Sequence, residues 1–461
     1  MNLSLIFPWQ RVLVVGLGRS GVAVARLLRA LGCEVAVYDR NAQCPVEPSW
    51  SPFLGAEHPP EAAFANVDAV ILSPGIDPRV CLQLAARLVP HAAIYGEMSL
   101  AMALVHAWWP TLPSVMITGT NGKSTVTTLI GELLRAGGMA PFVGGNLGEP
   151  LCEMLHDVVA KRRLAPDALV LECSSYQLET MHDFACDVAM VLNLSPDHLE
   201  RYGSMEAYAR TKTRVFSGLR GHGLAMLDAE DPFCESMRSD APHGLLCVDG
   251  SEPPHRIDVD GEEWLVLGAG EKVRRSQVKL QGRHNAKNVL FAVKSAMHLG
   301  VAFADCLPVL ANFEGLAHRM RCVGTIGGVD FYDDSKATNI AGVLAGLAGF
   351  PRKYVLIAGG MAKAGDDPSP LRQRLAEQGK GLVAMGRDGK LFYELASDIV
   401  PVRWANDMQE AVTLAFSLAA PGDAVLLSPA CASWDQYRSF AHRGDVFIEQ
   451  VERLAKQSLL S

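Results

Sequence analysis

The sequence predicts an α/β protein of three domains, on three observations. Short runs rich in Val, Ile and Leu recur along the chain, among them RVLVVG, DAVILS, SVMITG, ALVLE, VAMVLN, KYVLIAGG, LVAMG and DAVLLS. They show little polar alternation, as expected of parallel strands covered on both faces. Helix-like runs separate them, which is the alternation of a parallel sheet wrapped by helices. The length, 461 residues, is roughly three times the ~150 residues of a common domain. Finally, Gly-rich turns follow several of the strand-like runs directly, where a doubly wound sheet places its ligands.

Taken in order, residues 1–110 read as an N-terminal Rossmann-like domain. Its first strand, Val12 to Val15, runs into GLGRSG, and it closes at the Trp108-Trp109-Pro110 break. Residues 111–310 read as a central P-loop ATPase-like parallel sheet that begins at Ser114 to Thr118. The stretch from Asp228 to Gln281 is richer in Pro, Asp, Gly and short strands and reads as a small β insertion. Residues 311–461 return to strand–helix alternation, a C-terminal Rossmann-like domain.

Composition excludes several functions. A formal net charge of −8 leaves no bulk basic field for nucleic acid or an anionic membrane. An anionic substrate therefore needs a local pocket of positive groups. No apolar run reaches the ~18 residues of a membrane span, so no membrane insertion is expected. The N-terminus lacks the basic n-region of a signal peptide. Eleven cysteines, an odd number without a C-x-x-C pair, argue against a disulfide framework or zinc ribbon. Buried, reduced thiols in the cytoplasm are expected instead.

The chemistry concentrates in a few turns. The glycines of Gly16-Leu17-Gly18-Arg19-Ser20-Gly21 suit a tight turn and close approach of a diphosphate. Asp39, at the end of the second strand, fits a ribose hydroxyl contact. This turn alone does not separate NAD from a UDP-sugar. Ser73-Pro74-Gly75 follows a further strand at a second ligand-facing position. Thr118-Gly119-Thr120-Asn121-Gly122-Lys123-Ser124-Thr125 follows an apolar strand and opens a helix. Its backbone N–H groups suit phosphates, Lys123 supplies a charge for the β- and γ-phosphates, and Ser124 suits Mg²⁺. It is a shortened P-loop, because the first glycine stands only three residues before Gly122. Glu172 ends a strand and suits a Mg²⁺ ligand. By residue type alone, His198 reads as structural and Lys212 as a surface lysine.

In this order, TGTNGKST, LECSSYQLE, NLSPDHLERY, GRHNAKN, DDSKATN and SPACASWDQY resemble the Mur ligase family. GLGRSG and LSPGI extend the resemblance over essentially the whole chain. The Asp-Asn-Pro-Arg motif of the diaminopimelate- or lysine-adding branch is absent. The resemblance implies an ATP-dependent amide ligase of cytoplasmic peptidoglycan synthesis, acting as a monomer. The carboxylate of UDP-N-acetylmuramoyl-L-alanine takes the γ-phosphate of ATP, and the amine of D-glutamate then displaces phosphate from the acyl phosphate. A sister ligase or a folylpolyglutamate synthase-like ligase adding another amino acid is the alternative. An NAD-dependent oxidoreductase leaves TGTNGKST unexplained, and a nonenzymatic scaffold has no need of Lys123, Glu172, His198 and Lys212 together.

The resemblance also implies roles. Lys123, Glu172, His198 and Lys212 are the catalytic set. Ser124 and Glu172 hold one Mg²⁺, and His198 with a carbamoylated Lys212 holds a second. ATP meets Gly119, Thr120, Asn121, Gly122, Lys123, Ser124 and Thr125, with Asn285, Asn288, Arg319, Asp334 and Lys336 toward adenine, ribose and phosphates. Ser20, Asp39, Arg40, Ser73 and Gly75 face uracil and diphosphate, while Asn146 and His198 face the muramoyl part. Thr338, Lys363, Ser433 and Phe440 form the D-glutamate pocket. Met361 stands where family members often carry an acidic residue.

Overall fold

The computed structural model describes residues 6–238, 245–248, 256–259, 262–266, 271–280, 283–347, 350–362 and 367–458. They form two compact units: Met1–Leu194, Glu206–Arg275 and Asn288–Val309 in one, and Ser195–Met205, Ser276–Lys287 and Leu310–Ser461 in the other. The class is α/β, as the uninterrupted apolar runs require.

The first unit holds two parallel sheets and a small antiparallel one. The first sheet comprises β1 (Arg11–Val15), β2 (Glu34–Asp39), β3 (Ser51–Leu54), β4 (Ala69–Leu72) and β5 (Ala93–Gly96) in the order β3-β2-β1-β4-β5. Strand order reverses between β1 and β4, so the turns that follow them, GLGRSG and Ser73-Pro74-Gly75, flank the switch point. The second sheet comprises β6 (Ser114–Thr118), β7 (Pro141–Gly145), β8 (Ala168–Glu172), β9 (Cys186–Val191), β10 (Leu219–Asp228) and β11 (Leu245–Val248). Its order is β11-β10-β9-β6-β8-β7. Residues 115–117 and 168–171 are wholly buried, as befits central strands covered on both faces. Register sets Ile117 beside Glu172 and Gly145 beside Glu172. The loops after β6, β7 and β8 therefore emerge side by side at one carboxyl edge. The expected β insertion contains β12 (Arg256–Val259), β13 (Glu262–Val266) and β14 (Lys272–Arg274), paired antiparallel.

The second unit is built on β15 (Arg321–Ile326), β16 (Val329–Asp333), β17 (Tyr354–Gly359), β18 (Gly379–Met385), β19 (Val402–Trp404) and β20 (Ala424–Leu427). Their order is β15-β16-β20-β17-β18-β19, with only the edge strand β15 antiparallel to its neighbour. Apolar side chains cover both faces of this sheet. The loops DDSKATN, Gly-Gly-Met and SPACAS leave the carboxyl ends of β16, β17 and β20, which are adjacent. Among the described residues no helix is long and apolar enough to cross a membrane. Of the ten cysteines whose side chains are described, eight are buried.

Candidate active site

The P-loop is shaped by two glycines and one asparagine. Gly119 has φ +142°, and a Cβ there would lie 3.1 Å from the Leu192 Cβ. Gly122 has φ +83°, and a Cβ would come within 2.7 Å of Asn288 Oδ1. Neither position tolerates a side chain without strain. Asn193, just past β9, brackets the loop: its carbonyl accepts from Thr120 N–H at 2.9 Å. Its side-chain oxygen accepts from Asn121 N–H at 2.8 Å, and its amide donates to Asn121 O at 3.0 Å. Lys123 Nζ turns back on its own loop and donates to Gly119 O at 2.9 Å and Thr120 O at 2.8 Å. Ser124 and Thr125 are buried in the first turn of the helix Lys123–Ala136.

Lys212 is not a surface lysine. Only 1% exposed, it donates to Thr118 Oγ1 at 3.2 Å and Gly119 O at 3.0 Å. Its Nζ lies 4.8 Å from the centre of the Tyr208 ring. The helix Met205–Thr213 carries the lysine inward, under the P-loop. Thr118 Oγ1 in turn donates to Cys173 O at 2.8 Å, tying β6 to the end of β8.

Glu172 is 3% exposed at the end of β8. Ser174 stops the strand there by starting a helix with a reciprocal cap: Ser174 N–H donates to Gln177 Oε1 at 2.9 Å, and Gln177 N–H donates to Ser174 Oγ at 3.2 Å. Asn146 Nδ2 donates to Glu172 Oε1 at 2.7 Å. Glu172 Oε2 is buried with no hydrogen-bond partner. A buried carboxylate oxygen left bare is costly, and a hard cation satisfies it. The bare oxygen of Glu172 is the feature here that suits such an ion. Among the described residues no group of three His, Cys, Asp or Glu side chains forms a metal cage. The expected donor set does not need one, because it draws on a hydroxyl and a modified lysine. His198 belongs to the second unit, in left-handed backbone with φ 56°, between Asp197 and Glu200 at 3.5 Å each.

The GLGRSG turn needs its glycines. At Gly16 (φ +90°) a Cβ would lie 2.9 Å from the Ser73 Cβ, and at Gly21 it would lie 1.8 Å from Gly16 O. Ser20 sits in the first turn of the helix Arg19–Ala30, and Arg40 and Gly75 are exposed. Asp39 has a task that the sequence does not show. One oxygen accepts from Leu17 N–H at 2.7 Å and the other from Asn41 N–H at 2.8 Å. It therefore shapes the GLGRSG turn itself. Arg19 Nη1 donates to Gly148 O at 2.5 Å, joining this turn to the one that bears Asn146.

In the second unit, Asp334 accepts from Ser428 Oγ at 2.6 Å and Met320 N–H at 3.2 Å. Burial pushes its carboxyl up to about 7. Its neighbour Asp333 pairs with His318 Nδ1 at 2.6 Å, and this bond raises the imidazole pKa. Lys336 Nζ lies 3.9 Å from the centre of the Phe440 ring. Ser433 is buried, and Thr338 N–H closes a turn onto Lys336 O. Met361 and Ala432 exchange backbone hydrogen bonds, which links the Gly-Gly loop to SPACAS. Lys363 lies outside the described residues. Arg443, which the sequence does not single out, is 2% exposed. It donates to Ser335 Oγ at 2.9 Å, Ser335 O at 2.8 Å and Cys431 O at 3.0 Å. Burial lowers its pKa to about 10. Asn285 and Arg319 also fall in this unit, whereas Asn288 falls in the first.

Three family descriptions match in succession: the Mur ligase MurD-like N-terminal domain over residues 10–88, the Mur ligase middle domain over 117–296, and the Mur ligase glutamate ligase domain over 318–431. A UDP-N-acetylmuramoylalanine–D-glutamate ligase from Methylobacillus flagellatus is 37% identical, over 98% of this chain and 98% of its own. The enzyme of that name from Methylococcus capsulatus is 40% identical, over 96% of this chain and 95% of its own.

The chain belongs to the Mur ligase family. Among solved structures, MurF from Acinetobacter baumannii superposes with a TM-score of 0.58 at 17% identity, over 98% of each chain. The UDP-N-acetylmuramate-alanine ligase of Thermotoga maritima gives 0.58 at 16% identity, over 96% of this chain and 99% of its own. This Mur ligase shares the three-domain α/β fold of those proteins.

Proposed function

We propose that this Mur ligase joins D-glutamate to UDP-N-acetylmuramoyl-L-alanine at the expense of ATP, acting as a cytoplasmic monomer in peptidoglycan precursor synthesis. Residues 1–110 take the UDP substrate, 111–310 take ATP, and 311–461 take the amino acid. The observation that carries the chemistry is Glu172: a buried carboxylate, one oxygen held by Asn146 and the other bare, on the strand beside the P-loop strand.

A carboxylate oxygen of the substrate alanine attacks the γ-phosphorus, and the bond to the β-phosphate oxygen breaks to release ADP. The amine of D-glutamate then attacks the acyl carbon. A C–N bond forms, phosphate leaves, and the amine loses a proton. Both steps crowd anions into a net-acidic protein, so local positive charge decides the rate. Lys123 exchanges its loop carbonyls for phosphate oxygens. P-loop N–H groups point at the same anions. Asn146 orients the muramoyl arm and keeps Glu172 in place. Ser124 and Glu172 would hold one Mg²⁺, and His198 with a carbamoylated Lys212 would hold another. Mg²⁺ supplies charge neutralisation between substrate carboxylate and triphosphate. Burial of Lys212 favours the neutral amine that carbamoylation requires. Asn285, Asn288, Arg319 and Asp334 take the adenosine side and Lys336 the phosphates. Thr338, Lys363, Ser433 and Phe440 line the amino-acid pocket.

Phosphate release from ATP is the test, measured with UDP-N-acetylmuramoyl-L-alanine and a panel of amino acids including both glutamate enantiomers. Release that needs both the nucleotide substrate and D-glutamate is expected. Release with another amino acid instead moves the protein to a sister ligase, and no release with any overturns the proposal.

A further inference from the structure

Glu97 opens the helix Glu97–Trp108, directly after β5. Its side chain is 1% exposed, a burial that carboxylates avoid unless they are paired. Oε1 accepts the Cys152 N–H at 2.8 Å, in the first turn of the helix Leu151–Val159. The preceding Pro150 offers that helix no side-chain cap. The Cys152 thiol also donates to Glu97 O at 3.7 Å. Glu97 Oε2 is buried without a hydrogen-bond partner. Desolvation pushes this carboxyl up to about 7.

What Glu97 holds is the far end of a turn whose near end reaches Glu172. Gly145 N–H donates to Glu149 O, and Asn146 N–H donates to Glu172 O. The Asn146 side chain then meets Glu172 Oε1. Met98, next to Glu97, lies beneath Gly145: a Cβ there would be 2.9 Å from Met98 Cε and 2.6 Å from Glu172 O. The turn 145–151 is therefore clamped by Glu172 and Met98 at the Gly145 end and by Glu97 at the other. A serine at the N-cap would cap the helix Leu151–Val159 locally, without burying a carboxyl. Glu97 instead ties it to an element more than fifty residues earlier.

We infer that Glu97 is a positioning residue for ligation: it fixes the 145–151 turn, and thereby the Asn146 amide, against Glu172 and the muramoyl arm. The inference rests on the ligase reading for what Asn146 faces, but the clamp itself does not.

The test compares Glu97→Ala and Glu97→Gln in the full chain. A misplacement of about 1 Å costs roughly 100-fold in rate, so E97A should lower kcat/KM for the UDP substrate by about 10- to 100-fold. The KM for ATP should stay nearly constant. E97Q keeps an oxygen acceptor for Cys152 N–H and should recover most of that loss. Amide hydrogen exchange of residues 145–151 should quicken in E97A and not in E97Q. Should E97A fail to fold, Glu97→Asp, whose shorter stem withdraws the carboxyl from Cys152, takes its place. E97A that melts earlier but keeps its kinetic constants and its 145–151 exchange overturns the inference. So does E97Q as impaired as E97A. If the parent protein ligates nothing, the ligase reading has failed, and exchange at 145–151 alone decides whether the clamp exists.

Discussion

Replacing Asp334 with asparagine should stabilise the protein at pH 8 and leave its stability unchanged near pH 4. The folded carboxyl keeps its proton to about pH 7, against an ordinary value of 3.8, because burial strips it of water. A folded pKa raised above the unfolded one makes stability fall as pH rises from about 4 to about 7, with no further loss beyond. A rise from 3.8 to about 7, at ~1.4 kcal/mol per tenfold change in proton affinity, sets a ceiling of about 4 kcal/mol. An interior that relaxes around charge halves this to about 2 kcal/mol. Asparagine removes the penalty and keeps the bonding, since its oxygen can accept Met320 N–H and its amide can donate to Ser428 Oγ. About 2 kcal/mol corresponds to roughly 4–8 °C in the melting of a unit this size. Thermal unfolding of parent and D334N in steps from pH 4 to 8.5 reads it directly. The two curves should coincide at the acid end, diverge through the middle and run parallel above pH 7. A gap that does not change with pH, or a variant less stable at pH 8, would refute the reasoning.

The remaining predictions concern turnover. Glu172→Gln should lower kcat about 10²- to 10³-fold with an unchanged circular dichroism spectrum, on the scale of removing one preorganised electrostatic group; full activity in single-turnover assays would contradict the role of its bare oxygen. Gly122→Ala should raise the KM for ATP about tenfold, since left-handed backbone costs a Cβ about 1–2 kcal/mol and Asn288 stands 2.7 Å from it. Steady-state kinetics with ATP varied at saturating co-substrates checks this. Lys212→Ala should be inactive, and short carboxylic acids should restore part of its phosphate release, because they replace the oxygen donor of the carbamate. Full activity in the variant without any added acid would sink the carbamate.

The fold was legible because parallel strands buried on both faces leave long apolar runs, and Val12 to Val15 or Ser114 to Thr118 cannot be read as anything exposed. The P-loop was legible because its glycines answer a local backbone need. Side chains that act at a distance left no such mark. Glu97 reads as an unremarkable acid at a helix start, a common place for one. Its purpose appears only when β5 and the turn after β7 are brought together. Arg443 is one basic residue in a mixed helix, and nothing in RSFAHRGD says that its guanidinium turns inward to Ser335 and Cys431. Asp39 was visible as a candidate through its spacing from GLGRSG, but the same spacing suits a group that holds the turn as well as one that meets the ligand. Residue type alone left Lys212 looking like a surface lysine, since only the fold shows which face of Met205–Thr213 is inside; the family resemblance was what pointed to it.

The bracket around Asn121 also bears on how the protein ages. Asn121-Gly122 is a dipeptide prone to succinimide formation, because the glycine nitrogen meets little hindrance when it attacks the asparagine side chain; asparagine is a thermolabile residue for such reasons. Ring closure requires the Asn121 backbone to rotate. Asn193 holds both its N–H and its carbonyl, at 2.8 and 3.0 Å. The pair of bonds that shapes the P-loop therefore also slows its chemical decay. Storage or heat that loosens Asn193 should show itself first as a gain of one negative charge at the ATP loop, before any loss of fold.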